Sequence, residues 1–144
     1  VKPVVIDSSV LLANAFVEAY SAQASSLITM WLEEGYSLHA PSLLYYEIVN
    51  VIRKAVHFGR LVETEGRQVK ERLLAIPLTT HANLDLVNRA YDLAQSLNLP
   101  RTYDAQYLAV AESLGCEFWT GDERFFNSAR SLFPFIRWLG EDTK

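Results

Sequence analysis

Four carboxylates in this chain of 144 residues could do chemistry if brought together: Asp7, Glu47, Asp104 and Asp122. Asp7 closes the apolar run Val4-Val5-Ile6, and Asp122 comes two residues after Thr120 at the end of another. Glu47 interrupts Leu43-Leu44-Tyr45-Tyr46 and Ile48-Val49, where a buried carboxylate without a partner is strongly disfavoured. Brought together without matching Lys or Arg, such groups repel and raise one another's pKa values unless a divalent cation supplies the missing charge. Oxygen donors with no Cys or His cluster suit Mg²⁺ or Mn²⁺ and argue against zinc. His39, His57 and His81 share no ligand spacing and read as ordinary surface or strand-end residues. Two hydroxyls accompany the acids, Ser9 two residues after Asp7 and Thr120 two before Asp122, placed to hydrogen-bond carboxylates or bound water, or to cap helices. Plainer roles exist for the acids too: Asp7 and Asp122 as helix N-caps, Asp104 as complement to a helix dipole.

What would bring the four acids together is an α/β fold with a parallel sheet, because short apolar runs alternate with longer amphipathic stretches. The expected strands are 4–6, 38–40, 76–79, 117–120 and 135–138; the expected helices are 9–18, 21–34, 42–58, 63–75, 84–97, 102–115 and 123–131. Several helices end at Gly35, Gly59 or Gly115, as helix C-termini often do. Pro77 makes the third strand the weakest and suits it to a sheet edge. Functional groups of such sheets gather beyond the C-terminal ends of the strands. Asp7 and Asp122 follow strands directly, and Glu47 lies within two turns of the start of a helix capped by Ser42. The helix 102–115 enters the fourth strand through a tight turn at Gly115, so it runs antiparallel to that strand and its first turn, with Asp104, lies at the same rim.

Length and an apolar half of the composition fit one domain over residues 1–144 with its own core, and no repeat or linker divides it. Cys116 is the single cysteine, read as a small buried residue, so no internal disulfide forms and a reducing cytoplasm is expected. Neither a signal peptide nor a membrane helix is expected. The net charge of −4 has the wrong sign for a protein held to nucleic acid by its overall field. Arg53, Lys54, Arg60, Arg67, Lys70 and Arg72 nonetheless outnumber Glu63, Glu65 and Glu71 in one stretch, either as a solvated helical face or as a phosphate-binding arm.

The motifs around the four acids resemble those of the PIN-domain ribonucleases, more closely the VapC-type toxins of toxin–antitoxin pairs. The likeness runs nearly end to end. Val4-Val5-Ile6-Asp7-Ser8-Ser9 looks like the opening strand with its first metal-binding Asp, and 40–50 is similar to the second motif, with Glu47 and Asn50 one turn later. Tyr103-Asp104-Ala105-Gln106-Tyr107 resembles the third, and Trp119-Thr120-Gly121-Asp122-Glu123-Arg124 the fourth. No acidic position of the pattern is missing.

The resemblance implies a three-layer α/β/α domain around a parallel sheet of about five strands, and Mg²⁺- or Mn²⁺-dependent hydrolysis of RNA that leaves a 5′-phosphate and a 3′-hydroxyl. Asp7, Asp104 and Asp122 would hold the metal, and Glu47 would bind it or orient water. Ser9 and Thr120 would position ligands, Asn50 would brace Glu47, and Arg124 would contact phosphate. It also implies a homodimer and a small antitoxin whose tail blocks the acidic groove. Leu61, Val62, Phe125, Phe126 and 133–138 are available for such an interface, although core packing is expected for most of them. Three other readings remain: a PIN-fold RNA-binding or regulatory module that does not cut, a housekeeping RNA-processing nuclease, and a phosphatase using Asp7. The phosphatase is disfavoured by Ser9, where such enzymes want a second Asp.

Overall fold

The computed structural model describes residues 1–141, and among them five strands form one sheet. The strands β1 (Pro3–Ile6), β2 (Ser37–Pro41), β3 (Thr79–His81), β4 (Phe118–Thr120) and β5 (Ile136–Trp138) lie in the order β3-β2-β1-β4-β5. All pairings are parallel. Successive side chains of a strand point to opposite faces, and Val4, Val5 and Ile6 of β1 are all buried, so both faces of the sheet centre are covered. The cover comes from α1 (Ser8–Ala15), α2 (Ser21–Glu33), α3 (Leu43–His57), α4 (Glu63–Leu74), α5 (Leu84–Ser96), α6 (Tyr103–Leu114) and α7 (Glu123–Ala129). The result is the three-layer α/β/α domain expected. No helix among the described residues is long and apolar enough to cross a membrane.

Strand order reverses at β1, which has β2 on one side and β4 on the other. Ile6 is in register with Trp119, so the next residues, Asp7 and Thr120, stand abreast at the C-terminal rim. Helix α6 ends at Gly115, whose left-handed backbone (φ +63°) turns the chain into β4. That reversal carries the N-terminal turn of α6, and Asp104 with it, to the same rim.

Several boundaries differ from expectation. The third strand is Thr79–His81 and not 76–79: Pro77 has no N–H to give and restricts Ile76 before it, so pairing begins beyond them, at the sheet edge. The first helix stops at Ala15 because the Ser21 hydroxyl donates to the Phe16 carbonyl (2.7 Å) and accepts the Glu18 N–H (2.8 Å), holding the link in a turn. Ser42 occupies the N-cap position of α3 but makes no capping side-chain bond. His39 and His81 are not independent strand-end residues. Nδ1 of His39 lies 2.9 Å from Nε2 of His81, and Ser37 Oγ takes the other ring nitrogen of His39 at 2.9 Å, tying the edge strand to β2. Phe125, Phe126 and Ile136 are core, whereas Val62 is exposed. Cys116 is half-buried.

Candidate active site

The rim between β1 and β4 is assembled by hydroxyls and backbone N–H groups. Asp7 is 7% exposed and caps α1, its Oδ1 accepting the Val10 N–H at 3.3 Å. The Ser9 hydroxyl donates to the same oxygen, and Thr120 Oγ1 donates to Oδ2 at 2.6 Å. Both hydroxyls are themselves held by the loop after β4: Gly121 N–H donates to Ser9 Oγ at 2.7 Å, and Asp122 N–H to Thr120 Oγ1 at 3.0 Å. Gly121 suits this clasp because a Cβ there would meet Ser9 Oγ at 3.0 Å and Ser9 Cβ at 3.3 Å. Burial pushes the Asp7 carboxyl up to about 7; the Ser9, Thr120 and Val10 bonds pull down, and the Asp104 charge adds to the rise.

Glu47, half-buried on α3, accepts a hydrogen bond from the Tyr107 hydroxyl of α6. Burial raises its carboxyl pKa, against the pull of hydrogen bonds from Tyr107 and Ser8. Tyr107 is pushed far above its ordinary value, first by burial and then by the Glu47 charge, so it stays a protonated donor. Asp104 reaches solvent in the first turn of α6, yet its carboxyl is raised to about 6. Partial desolvation is the main cause, followed by the charges of Asp122 and Glu47, while Arg101 opposes them. Asp122 is exposed and caps α7, accepting the Phe125 N–H at 3.1 Å.

The plain roles of Asp7 and Asp122 as caps are therefore real, and they coexist with membership of the cluster. Asp7, Glu47, Asp104 and Asp122 share one rim, where the Asp104 charge raises Asp7 and the charges of Asp122 and Glu47 raise Asp104. Ser9 and Thr120 touch Asp7. Asn50 is exposed one turn from Glu47 with no hydrogen bond to it among the described residues; the brace is Tyr107. Arg124 is exposed in the first turn of α7. Sequence reasoning passed over Tyr107, Ser8 and Arg101. Tyr107 had a signal: it follows Asp104 by three residues, hence on the same helix face, and a buried tyrosine hydroxyl needs a partner.

The donor set fits a hard cation. It is all oxygen; burial raises the pKa values of Asp7, Glu47 and Asp104, neighbouring acids add to the rise for Asp7 and Asp104, and among the described residues no salt bridge reaches them, which is the deficit that a divalent ion removes. Among the described residues no three His, Cys, Asp or Glu side chains stand close enough to enclose an ion. Mg²⁺ does not need such a cage, since it is usually held by one or two carboxylates with water and substrate phosphates.

An acidic, oxygen-only rim at the strand-order reversal of a parallel α/β sheet defines the class: a fold that gathers carboxylates beyond the C-terminal ends of its strands. The PIN domain family model matches residues 4–130. Ribonuclease VapC3 of Pyrobaculum aerophilum is 30% identical over 122 residues, covering 83% of this chain and 89% of that protein. Ribonuclease VapC9 of Mycobacterium tuberculosis is 28% identical over 131 residues, covering 91% and 94%. Two solved structures share the fold. PAE2754 from Pyrobaculum aerophilum aligns with a TM-score of 0.65 at 24% identity, covering 88% of this chain and 86% of that one. A toxin–antitoxin complex from Klebsiella pneumoniae aligns at 0.62 and 18%, covering 96% and 99%. The chain belongs to the PIN-domain family, among its VapC-type members.

Proposed function

We propose that the chain is an Mg²⁺- or Mn²⁺-dependent endoribonuclease, the toxin of a type II toxin–antitoxin pair, acting in the cytoplasm as one PIN-like domain over 1–144. The observation that carries this reading is the buried Asp7, held by Ser9 and Thr120 and raised by the charge of Asp104, with no salt-bridging cation among the described residues. Similarity to proteins named VapC ribonucleases supplies the substrate class.

Bound at this rim, the ion would supply a lowered water pKa and positive charge against the phosphodiester oxygens. The chain's own residues do the placing. Asp7 is pinned through both carboxylate oxygens, so its direction is set before any ligand arrives. Asp104 and Asp122, open to solvent, would complete the ligand set, and Glu47 would bind the ion or orient water. Arg124, exposed two residues after Asp122, would meet a phosphate. Hydrolysis adds water across the P–O3′ bond, leaving a 5′-phosphate and a 3′-hydroxyl. The partner set that goes with this reading is an RNA substrate, a second copy of the chain and a small antitoxin that covers the acids.

The test is cleavage of a panel of structured RNAs with and without Mg²⁺ or Mn²⁺. Ion-dependent products that vanish in Asp7→Asn and Asp104→Asn are expected. Ion-independent cutting, or cutting retained in both variants, would overturn the reading, and a folded protein that binds RNA and cuts none would mark a binding module.

A further inference from the structure

The hydroxyl of Tyr107 is buried in the core, and it is aimed at a site residue. Tyr107 is 1% exposed, and its ring stacks on Phe118 of β4, centroids 5.8 Å apart and planes 14° from parallel. A phenylalanine would make that stack equally well. What the hydroxyl adds is a donor, and its partner is Oε1 of Glu47, sixty residues away on α3. Tyr107 also lies three residues after Asp104 on α6, so one helix face carries both an acid of the rim and the group that fixes a second acid. Glu47 has three side-chain torsions and is only half-buried, so packing alone leaves its carboxylate free to turn. With Oε1 engaged by a donor rooted in the core, that freedom is reduced.

We propose that Tyr107 is a positioning residue that sets the Glu47 carboxylate for ion binding, linking the register of α6 on the sheet to the geometry of the acidic centre. The inference rests on the reading of the rim as a divalent-ion site. A phenol bonded to a carboxylate that meets a metal is the arrangement by which outer partners orient metal ligands, and loss of such a partner lowers metal affinity by about 10–100-fold. A purely structural hydroxyl would instead affect stability alone.

The test is Tyr107→Phe, read first by Mn²⁺ binding followed by electron paramagnetic resonance and then by RNA cleavage. Expected are an Mn²⁺ affinity lower by about tenfold, a fall in kcat with KM for RNA little changed, and a circular dichroism spectrum like the parent's. In a Glu47→Gln background the same change should have no further effect on Mn²⁺ affinity, which makes the pair a double-mutant cycle and keeps the test sound even if Tyr107→Phe is less stable. Parent-like Mn²⁺ affinity in Tyr107→Phe, or an equal loss in both backgrounds, would overturn the role of Tyr107 and leave the ion site standing. A parent that binds no Mn²⁺ would overturn both, whereas a parent that binds Mn²⁺ without cutting RNA would overturn only the nuclease reading.

Discussion

The two ends of the sheet treat carboxylates in opposite ways. At the N-terminal end, Glu112 meets Arg89 at 2.7 Å and Glu117 meets Arg137 at 3.1 Å, and the guanidinium beside Glu112 lowers its carboxyl pKa. A cleft of about 780 Å³ opens there, lined by Lys2, Tyr36, Cys116 and Phe135 among others. At the C-terminal end, Asp7 and Glu47 receive hydroxyl and backbone donors only, and burial raises both. A neutral donor fixes the direction of a carboxylate without cancelling its charge; a guanidinium does both. This cleft lies at the opposite end from the candidate site, whose mark is charge that is ordered but not neutralised.

The largest expected effect is on cleavage. Asp104→Asn and Asp7→Asn should each lower the Mg²⁺-dependent rate by a factor on the order of 10³ or more, with far-ultraviolet circular dichroism unchanged. Activity within tenfold of the parent would erase the contrast between the ends.

Next comes the clasp. In Gly121→Ala the new methyl crowds Ser9, and the rate should drop about tenfold for a stability loss of about 1 kcal/mol. Thr120→Val removes the donor to Oδ2 of Asp7 and the acceptor for Asp122 N–H, with an expected cost of about 1–2 kcal/mol in chemical denaturation. Because the Thr120 bond holds the Asp7 pKa down, its loss should move the Asp7 titration to higher pH.

Asp7 should also give metal-free stability a defined pH dependence. Its folded pKa is raised from 3.8 to about 7, so the protonated form is the one folding favours. The contribution is fully present below about 4 and is lost as pH rises through 7, by an amount that reaches at most about 4 kcal/mol at 1.36 kcal/mol per unit. Urea melts of the parent in chelator should show this fall between pH 4 and 7, and Asp7→Asn should flatten it.

The smallest effect belongs to the other end. Glu112→Gln breaks a partly exposed ion pair and should cost under about 1 kcal/mol, with RNA cleavage unchanged. A large loss of activity there would mean that the two ends are not functionally distinct.

Much of this contrast was legible in the sequence, for physical reasons that differ by residue. Asp7 and Asp122 sit at the ends of apolar runs, so a parallel sheet places them at one rim, and the tight turn at Gly115 fixes the direction of α6 and so the position of Asp104. The edge strand begins three residues later than expected because three residues of β structure carry little periodicity and Pro77 blurs what remains. The brace on Glu47 was assigned to Asn50, one turn away, since local spacing is visible in a sequence. The actual donor, Tyr107, comes from a different helix: its spacing from Asp104 marks its helix face, but its partner shows only in the packing. The His39–His81 pair was missed for the same reason, being a contact across strands 42 residues apart.

The central claim is that the C-terminal rim holds uncancelled negative charge awaiting a divalent ion. Thermal unfolding at pH 8 of the parent and Asp7→Asn, each with Mg²⁺ or with chelator, tests it most directly. Expected are a parent whose Tm rises with Mg²⁺ and a variant that is more stable than the parent in chelator and indifferent to the ion. A parent whose Tm is the same with and without Mg²⁺, together with a variant no more stable than the parent in chelator, would contradict the account.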